Sequence, residues 1–379
     1  FDNNMILLEL NSSNDFRCKV AYGVIEYMLG IPMKEIKSNK ANKRKAISEN
    51  VRKTFHGLTL IFPESVESAS LAAKYGYDEW LVSRFLEYVP RIEDFLSKME
   101  RPPMQYIRVN TLKTSREQLE CRLRSKGFEL KSTILPEVLA VEKAPLATGA
   151  TTEYLLGHYY IQDLGSCMAV DALDVAKDQA VLDVSAAPGG KTTFIAQKMN
   201  NTGFIIALEP NGRRARSMSF NIMRCGVYNT SIFKMDGLQA SKFEMKFDRV
   251  LLDAPCSCEG VIAKDVTRKT SHTPQDVDYC SRMQDKLIEV AAKCVKPSGI
   301  LLYSTCSFAP EENEMVVDRL LQKSGNITVE PIRHGSSSSS RGLTKFGDWT
   351  FDSQLKNALR LYPHIDDTTG FFIARLRVN

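Results

Sequence analysis

Nine cysteines are spread through 379 residues, and three of them stand in two short motifs able to do chemistry. In Asp253-Ala254-Pro255-Cys256-Ser257-Cys258 a carboxylate precedes a thiol across a proline. In Tyr303-Ser304-Thr305-Cys306-Ser307 a second thiol follows a short apolar run. An isolated cysteine is ordinarily a small buried hydrophobe. Zinc is poorly served by this spacing, because Cys256 and Cys258 do not make a CxxC pair and no histidine cluster accompanies them. No metal is expected, which leaves nucleophilic chemistry for the thiols.

A third motif says what the thiols work beside. Asp183-Val184-Ser185-Ala186-Ala187-Pro188-Gly189-Gly190-Lys191-Thr192 reads as a strand end, a tight turn and a helix start. Its small residues let backbone approach a ligand closely, and Asp183 adds an acceptor beside the turn. A dinucleotide fingerprint is absent. A phosphate-binding loop is half matched by Gly190-Lys191-Thr192, but Ser185 stands where its first glycine belongs. Leu251-Leu252-Asp253 imitates the second NTPase motif, so that reading is a serious rival. Glu209 and Asp236 weigh against it. With Asp183 they place an acid after each of three successive strands, suited to ribose and adenine contacts and repellent to a triphosphate. The donor expected is S-adenosylmethionine. Two thiols beside a methyl donor suit pyrimidine C5, a poor nucleophile until a thiolate adds at C6.

These motifs need a scaffold that brings strand ends together. After Gly165, apolar runs at 180–184, 204–208, 231–233, 250–252, 300–303 and 371–376 alternate with helical stretches at 192–199, 213–225, 276–294 and 312–322. That alternation predicts an α/β fold with a doubly wound, mostly parallel sheet over residues 165–379. Residues 101–164 read as a small α+β segment, with a strand at Tyr106–Val109 and a helix from Ser115 to Lys126. Residues 1–100 read as a helical extension, on the apolar spacing of Val20, Val24, Ile25 and Met28 and again of Trp80, Leu81, Phe85 and Leu86. The serine run within Gly335–Gly342 reads as a loop.

Composition sets outer bounds. Apolar and charged shares of 43% and 25% are those of a globular chain, with no run long enough to cross a bilayer as a helix. Odd, scattered cysteines suit a reducing compartment, so a cytoplasmic, monomeric protein is expected. The formal charge is only +5, yet Lys34 to Lys53 holds eight basic residues against Glu35 and Glu49. Such a cluster is either a solvated face or a phosphate-tracking surface.

Taken together, the three motifs resemble those of the RsmB–NSUN (Sun-type) RNA cytosine-5 methyltransferases. The resemblance runs from about Arg108 to the end and includes Arg108-Val109-Asn110-Thr111-Leu112-Lys113, Gln162-Asp163, Arg224-Cys225-Gly226, Lys296-Pro297-Ser298-Gly299, Glu311-Glu312-Asn313-Glu314 and Gly370-Phe371-Phe372-Ile373-Ala374. Ser185, Cys258, Glu259 and Ser298 depart from the usual pattern, and Cys258 adds a third thiol. Residues 1–100 are only weakly similar. The resemblance implies a Rossmann-like class I methyltransferase fold, with Cys306 as nucleophile, Cys256 aiding product release, Asp253 on the base at N3 or N4 and Lys191 supporting thiolate character. It assigns Ser185, Ala186, Ala187, Pro188, Gly189, Gly190 and Lys191 to the methionine part of the donor, Glu209 to ribose, Asp236 to adenine and Arg214 to the adenosine pocket, with Asp253 at its edge. The basic cluster then becomes an RNA surface, extended by Arg101, Arg108, Lys113, Arg116, Arg122 and Arg124. The lack of a sizeable insertion between Lys113 and Gln162 argues against the PUA-containing branch of the family. A compact chain with a small helical extension needs no ribosomal context, so the favoured substrate is tRNA, with rRNA the alternative. A catalytically idle RNA-binding factor is the rival from another class, and the presence of both cysteines and the acids opposes it.

Overall fold

Three short helices open the part of the chain that the structure, a computed structural model, describes: residues 65–332 and 340–379. They are α1 (Val66–Tyr75), α2 (Glu79–Tyr88) and α3 (Ile92–Met99). Ser65 caps α1 by accepting from the Ser68 amide, and Gly76 ends it in the left-handed conformation that glycine adopts freely. Phe85 and Phe95, both fully buried, meet Phe308 of the α/β region at ring-centroid distances of 6.0 and 5.1 Å. Sequence periodicity sets a boundary near residue 100, but this packing joins the helices to the α/β region across it. The helix expected around Val20–Met28 and the basic cluster Lys34–Lys53 lie outside the described residues.

A small antiparallel sheet comes next, in the order β2-β3-β1-β4. Its strands are β1 (Gln105–Val109), β2 (Glu129–Ser132), β3 (Val138–Lys143) and β4 (Tyr159–Ile161), with α4 (Arg116–Ser125) after β1 and the single turn α5 (Thr152–Leu155) before β4. Leu119 and Leu123, one turn apart on α4, bury against Ile107, Val109 and Leu139 of the sheet. The sequence expectation found only β1 and α4. Strand β2 is short and polar and β4 has three residues, whereas β3 opens on the apolar run Val138–Val141, which has no period-2 alternation to mark it as a strand.

Beyond α6 (Leu164–Leu173) the chain builds a nine-stranded sheet from β5 (Ala180–Asp183), β6 (Phe204–Leu208), β7 (Thr230–Phe233), β8 (Phe247–Asp253), β9 (Val295–Thr305), β10 (Ile327–Glu330), β11 (Ser340–Arg341), β14 (Leu359–Leu361) and β15 (Phe371–Val378). The two-residue strands β12 (Lys345–Phe346) and β13 (Trp349–Thr350) form a separate ribbon. The main order is β11-β14-β15-β9-β8-β5-β6-β7, and β10 pairs with the C-terminal half of β15. Strands β7, β6, β5, β8 and β9 run parallel, and β15 returns antiparallel beside β9. This is the doubly wound sheet that the alternating runs predict. Its helices are α7 (Gly190–Lys198), α8 (Gly212–Cys225), the short α9 (Arg268–Ser271), α10 (Pro274–Lys293), α11 (Glu314–Lys323) and α12 (Pro363–Asp366). Strand β9 begins earlier than expected because Lys296-Pro297-Ser298-Gly299 is a bulge within it, with Ser298 at φ 61° and a register shift opposite.

Candidate active site

Parallel pairing explains why distant motifs meet. Asp253 at the end of β8 lies opposite Ser304 near the end of β9, so the loops beyond them leave the sheet side by side. The sulfurs of Cys256 and Cys306 are 3.1 Å apart. Asp253 stands at the same edge with both oxygens engaged: Lys191 Nζ lies 2.6 Å from Oδ2, and Ser304 Oγ donates to Oδ1 at 2.9 Å. Lys191 also sits over the Phe371 ring at 5.1 Å. Its charge is thus committed to the carboxylate, where the resemblance had it supporting a thiolate.

Cys258 completes a thiol cluster, 3.8 Å from Cys256 Sγ and donating to the Cys256 carbonyl at 3.2 Å. Contact with Cys256 and Cys306, aided by Arg268 and His272, draws the Cys258 thiol down. Cys306 goes the other way. Its contact with Cys256 favours the thiolate, but contact with Cys258, burial and the charges of Cys258 and Asp253 outweigh it. Contacts with Cys258 and Cys306 and burial likewise raise Cys256. Sulfurs this close share one negative charge rather than three.

Behind the thiols a buried carboxylate staples the two loops. Glu312 accepts from the Ser257 amide at 2.9 Å, from Ser307 Oγ at 2.7 Å and from Gln284 Nε2 at 2.9 Å, besides Ser257 Oγ. Burial, and then the Glu259 charge, push its carboxyl up to about 7. Glu259 is itself paired with His272 at 3.0 Å. Arg84 of α2 reaches Glu311 at 2.6 Å and Glu259 at 3.6 Å, with every partner buried. Arg360 similarly grips Glu314. The Glu311-Glu312-Asn313-Glu314 run was visible in the sequence, but nothing local says that its acids point inward.

The donor side lies across β5, β6 and β7. Asp183 accepts from Thr192 Oγ1 at 2.7 Å through Oδ2, while its Oδ1 is buried with no hydrogen-bond partner. Burial raises the Asp183 carboxyl to about 7. Gly189 caps α7 at φ 95°, a conformation that a side chain would strain. Glu209 is buried just past β6; it accepts from the Asn211 amide at 2.8 Å and pairs with Arg214 at 3.2 Å. Arg214 also donates to the Ala187 carbonyl at 2.9 Å, tying the Ser185–Gly190 loop to α8. Asp236 is exposed and accepts from the Leu238 amide at 2.9 Å. The three acids therefore line the carboxyl edge of three adjacent strands, as their order implies.

One predicted RNA contact is overturned. Arg108 is completely buried, donating to Gln162 at 3.0 Å, to the Gly190 carbonyl at 2.7 Å and to Thr193 at 2.9 Å. It anchors the small sheet beneath the donor loop and cannot touch a phosphate. Arg116 is half-buried against Glu120 and the Pro136 carbonyl, and Arg122 against His158. Arg101, Lys113 and Arg124 are exposed.

The family pattern described as 16S rRNA methyltransferase RsmB/F matches residues 170–377, and its ferredoxin-like domain matches residues 77–147. A 28S rRNA (cytosine-C(5))-methyltransferase of Mus musculus is 41% identical over 315 residues, which are 81% of this chain and 39% of that protein. Ribosomal RNA small subunit methyltransferase F of Aliivibrio fischeri is 35% identical over 296 residues, 76% of this chain and 60% of its own length. The chain therefore spans well under two thirds of these curated relatives. Among solved structures, a methyltransferase homolog protein from Pyrococcus horikoshii superposes with a TM-score of 0.75 at 35% identity, covering 83% of this chain and all of the other. NSun6 from the same organism, solved with SFG, gives 0.68 at 26% identity, covering 81% and 97%.

Proposed function

The chain belongs to the RsmB/F methyltransferase family, and from that premise we propose that it is an S-adenosylmethionine-dependent RNA cytosine-5 methyltransferase acting on ribosomal RNA. One observation carries the reading: the Cys256 and Cys306 thiols lie 3.1 Å apart beside the Asp253 carboxylate. Two thiols with separate tasks are what substitution at C5 by way of C6 requires.

The donor supplies an electrophilic methyl group. Its site fits the residues present. Asp183 Oδ1 is a buried acceptor without a hydrogen-bond partner at the carboxyl end of β5. In this reading Ser185 to Lys191 hold the methionine part, Glu209 takes the ribose hydroxyls as Arg214 shifts to flank the adenosine, and Asp236 receives the adenine amino group.

The target cytosine must leave its stack for C6 to be reached. Cys306 gives up its proton to water, its sulfur forms a bond to C6, and the displaced C5–C6 electron pair is taken up toward N3, which gains a proton. Asp253, fixed by Lys191 and Ser304, steadies the base at N3 or N4. With the methyl group on C5, loss of the C5 proton to water restores the double bond and breaks the C6–S bond, the sulfur leaving with the bonding pair as N3 gives back its proton. Cys256, held protonated by its neighbours, assists by donating a hydrogen bond to the departing sulfur.

For the substrate, the two curated relatives named above, from Mus musculus and Aliivibrio fischeri, are rRNA methyltransferases, which favours rRNA over the tRNA expected from compactness alone. Mapping 5-methylcytosine across total RNA, with and without the gene, tests this. We expect loss at an rRNA position. Loss confined to tRNA would make tRNA the substrate, and no loss anywhere would leave the idle-factor reading.

A further inference from the structure

Cys258 has no task in the reaction just described, yet its sulfur is turned into the centre of it. Its backbone lies at φ 64°, a left-handed conformation that a residue with a side chain adopts at a cost. The three sulfurs of Cys256, Cys258 and Cys306 all lie within 4.8 Å of one another. A tetrahedral zinc ion with Zn–S bonds of about 2.3 Å places its sulfurs about 3.8 Å apart. The Cys256–Cys258 separation of 3.8 Å matches that spacing, and the Cys256–Cys306 separation of 3.1 Å would have to widen to reach it.

Counting donors along the chain finds only Cys256 and Cys258. Folding adds Cys306 from the neighbouring strand, and Glu312 fixes both loops from behind. All three cysteines are half-buried and none is sealed off completely, so the cluster keeps an edge toward solvent. Three protein ligands and one open position are the arrangement of zinc sites that keep a bound water. A cation that prefers oxygen finds less here, since both Asp253 oxygens are engaged by Lys191 and Ser304.

We propose that Cys256, Cys258 and Cys306 form a binding site for a thiophilic divalent cation, Zn2+ in the first instance, and that an occupied site withholds Cys306 from the base. As each sulfur–metal bond forms, the thiol that makes it releases its proton to solvent. The metal site stands on the sulfur geometry alone. Its effect on catalysis rests on the reading of Cys306 as nucleophile.

Cobalt reports thiolate ligation without RNA or methyl donor. The reduced, metal-free full chain is titrated with Co2+ and followed by thiolate-to-cobalt charge-transfer absorbance, then back-titrated with Zn2+ or Mg2+. One Co2+ per chain, displaced by Zn2+ and not by Mg2+, is expected. Cys121→Ser, which removes an exposed thiol elsewhere, should titrate like the wild type. Cys258→Gly, which suits the left-handed backbone, should weaken binding by more than the roughly 10–100-fold that loss of an outer-shell partner costs. Wild-type protein without a charge-transfer band, or Cys258→Gly titrating unchanged, would overturn the site. In a parallel assay Zn2+ should inhibit RNA methylation over the range in which it displaces cobalt. Inhibition by Zn2+ should be far weaker in Cys258→Gly, measured against that variant's own metal-free rate. Equal inhibition of both proteins would overturn the effect on catalysis. Absence of methylation by the metal-free wild type would count against the enzymatic reading and leave the cobalt result standing.

Discussion

In the proposed reaction Cys306 and Cys256 have different tasks although they share an environment, and one assay separates them. Cys306→Ala removes the bond to C6, so it should form no covalent complex with RNA. Cys256→Ala should attack and methylate but release slowly, and should accumulate a complex that survives a denaturing gel. Opposite results exclude a shared folding defect; an adduct in Cys306→Ala alone would reverse the assignment. Glu209 supports a second test. Its carboxylate is already met by the Asn211 amide and Arg214, so the ribose competes with Arg214 for it. Glu209→Ala should weaken donor binding toward the lower end of about 1.5–3 kcal/mol, roughly tenfold. Calorimetry giving unchanged affinity in the folded variant would take Glu209 out of the site. At this scale much was legible, because Asp183, Glu209, Asp236, Cys256 and Cys306 each follow an apolar run. What stayed hidden was pairing. Arg108 reads as a surface cation until β1 is seen to carry it beneath Gly190, and nothing near Lys191 in sequence announces Asp253.

Among the elements, legibility followed periodicity. The long parallel strands and α8 and α10 stand out because apolar residues fill them at their proper spacing. Strands β2 and β4, with few residues each, do not. The bulge in β9 hides that strand's start, since Pro297 and Gly299 read as a turn. The Glu312 staple belongs here, as it joins the loops after β8 and β9 to α10 through Gln284. Its carboxyl is raised from 4.5 to about 7, and that of Asp183 from 3.8 to about 7. A raised folded pKa means that the stabilisation is complete below the unfolded value and fades as pH rises through the folded one. Thermal melts of the wild type should therefore lose stability between about pH 4 and pH 8. Asp183→Asn and Glu312→Gln, which cannot ionise there, should each flatten that fall. A slope unchanged in both variants would mean that these acids are already charged at low pH.

Across the whole molecule, charge and fold address different parts of the task. The described residues supply the reaction centre and its braces, with α2 tied to the catalytic loops through Arg84. Of the described cations expected to extend an RNA surface, Arg101, Lys113 and Arg124 are exposed. The dense basic stretch is Lys34 to Lys53, whose surplus of six positive charges exceeds that of the entire chain. If that stretch tracks phosphates, RNA binding should release counterions in proportion to the phosphates neutralised. Reversing Lys40, Lys43, Arg44 and Lys45 to glutamate should then weaken RNA binding at low salt. It should also flatten the slope of log affinity against log salt by roughly 0.7–0.9 for each phosphate no longer neutralised. Affinity for the methyl donor should not move, because none of the donor residues Asp183, Glu209 and Asp236 is among those substituted. An unchanged slope in a variant that still binds the donor would assign the cluster to solvation alone.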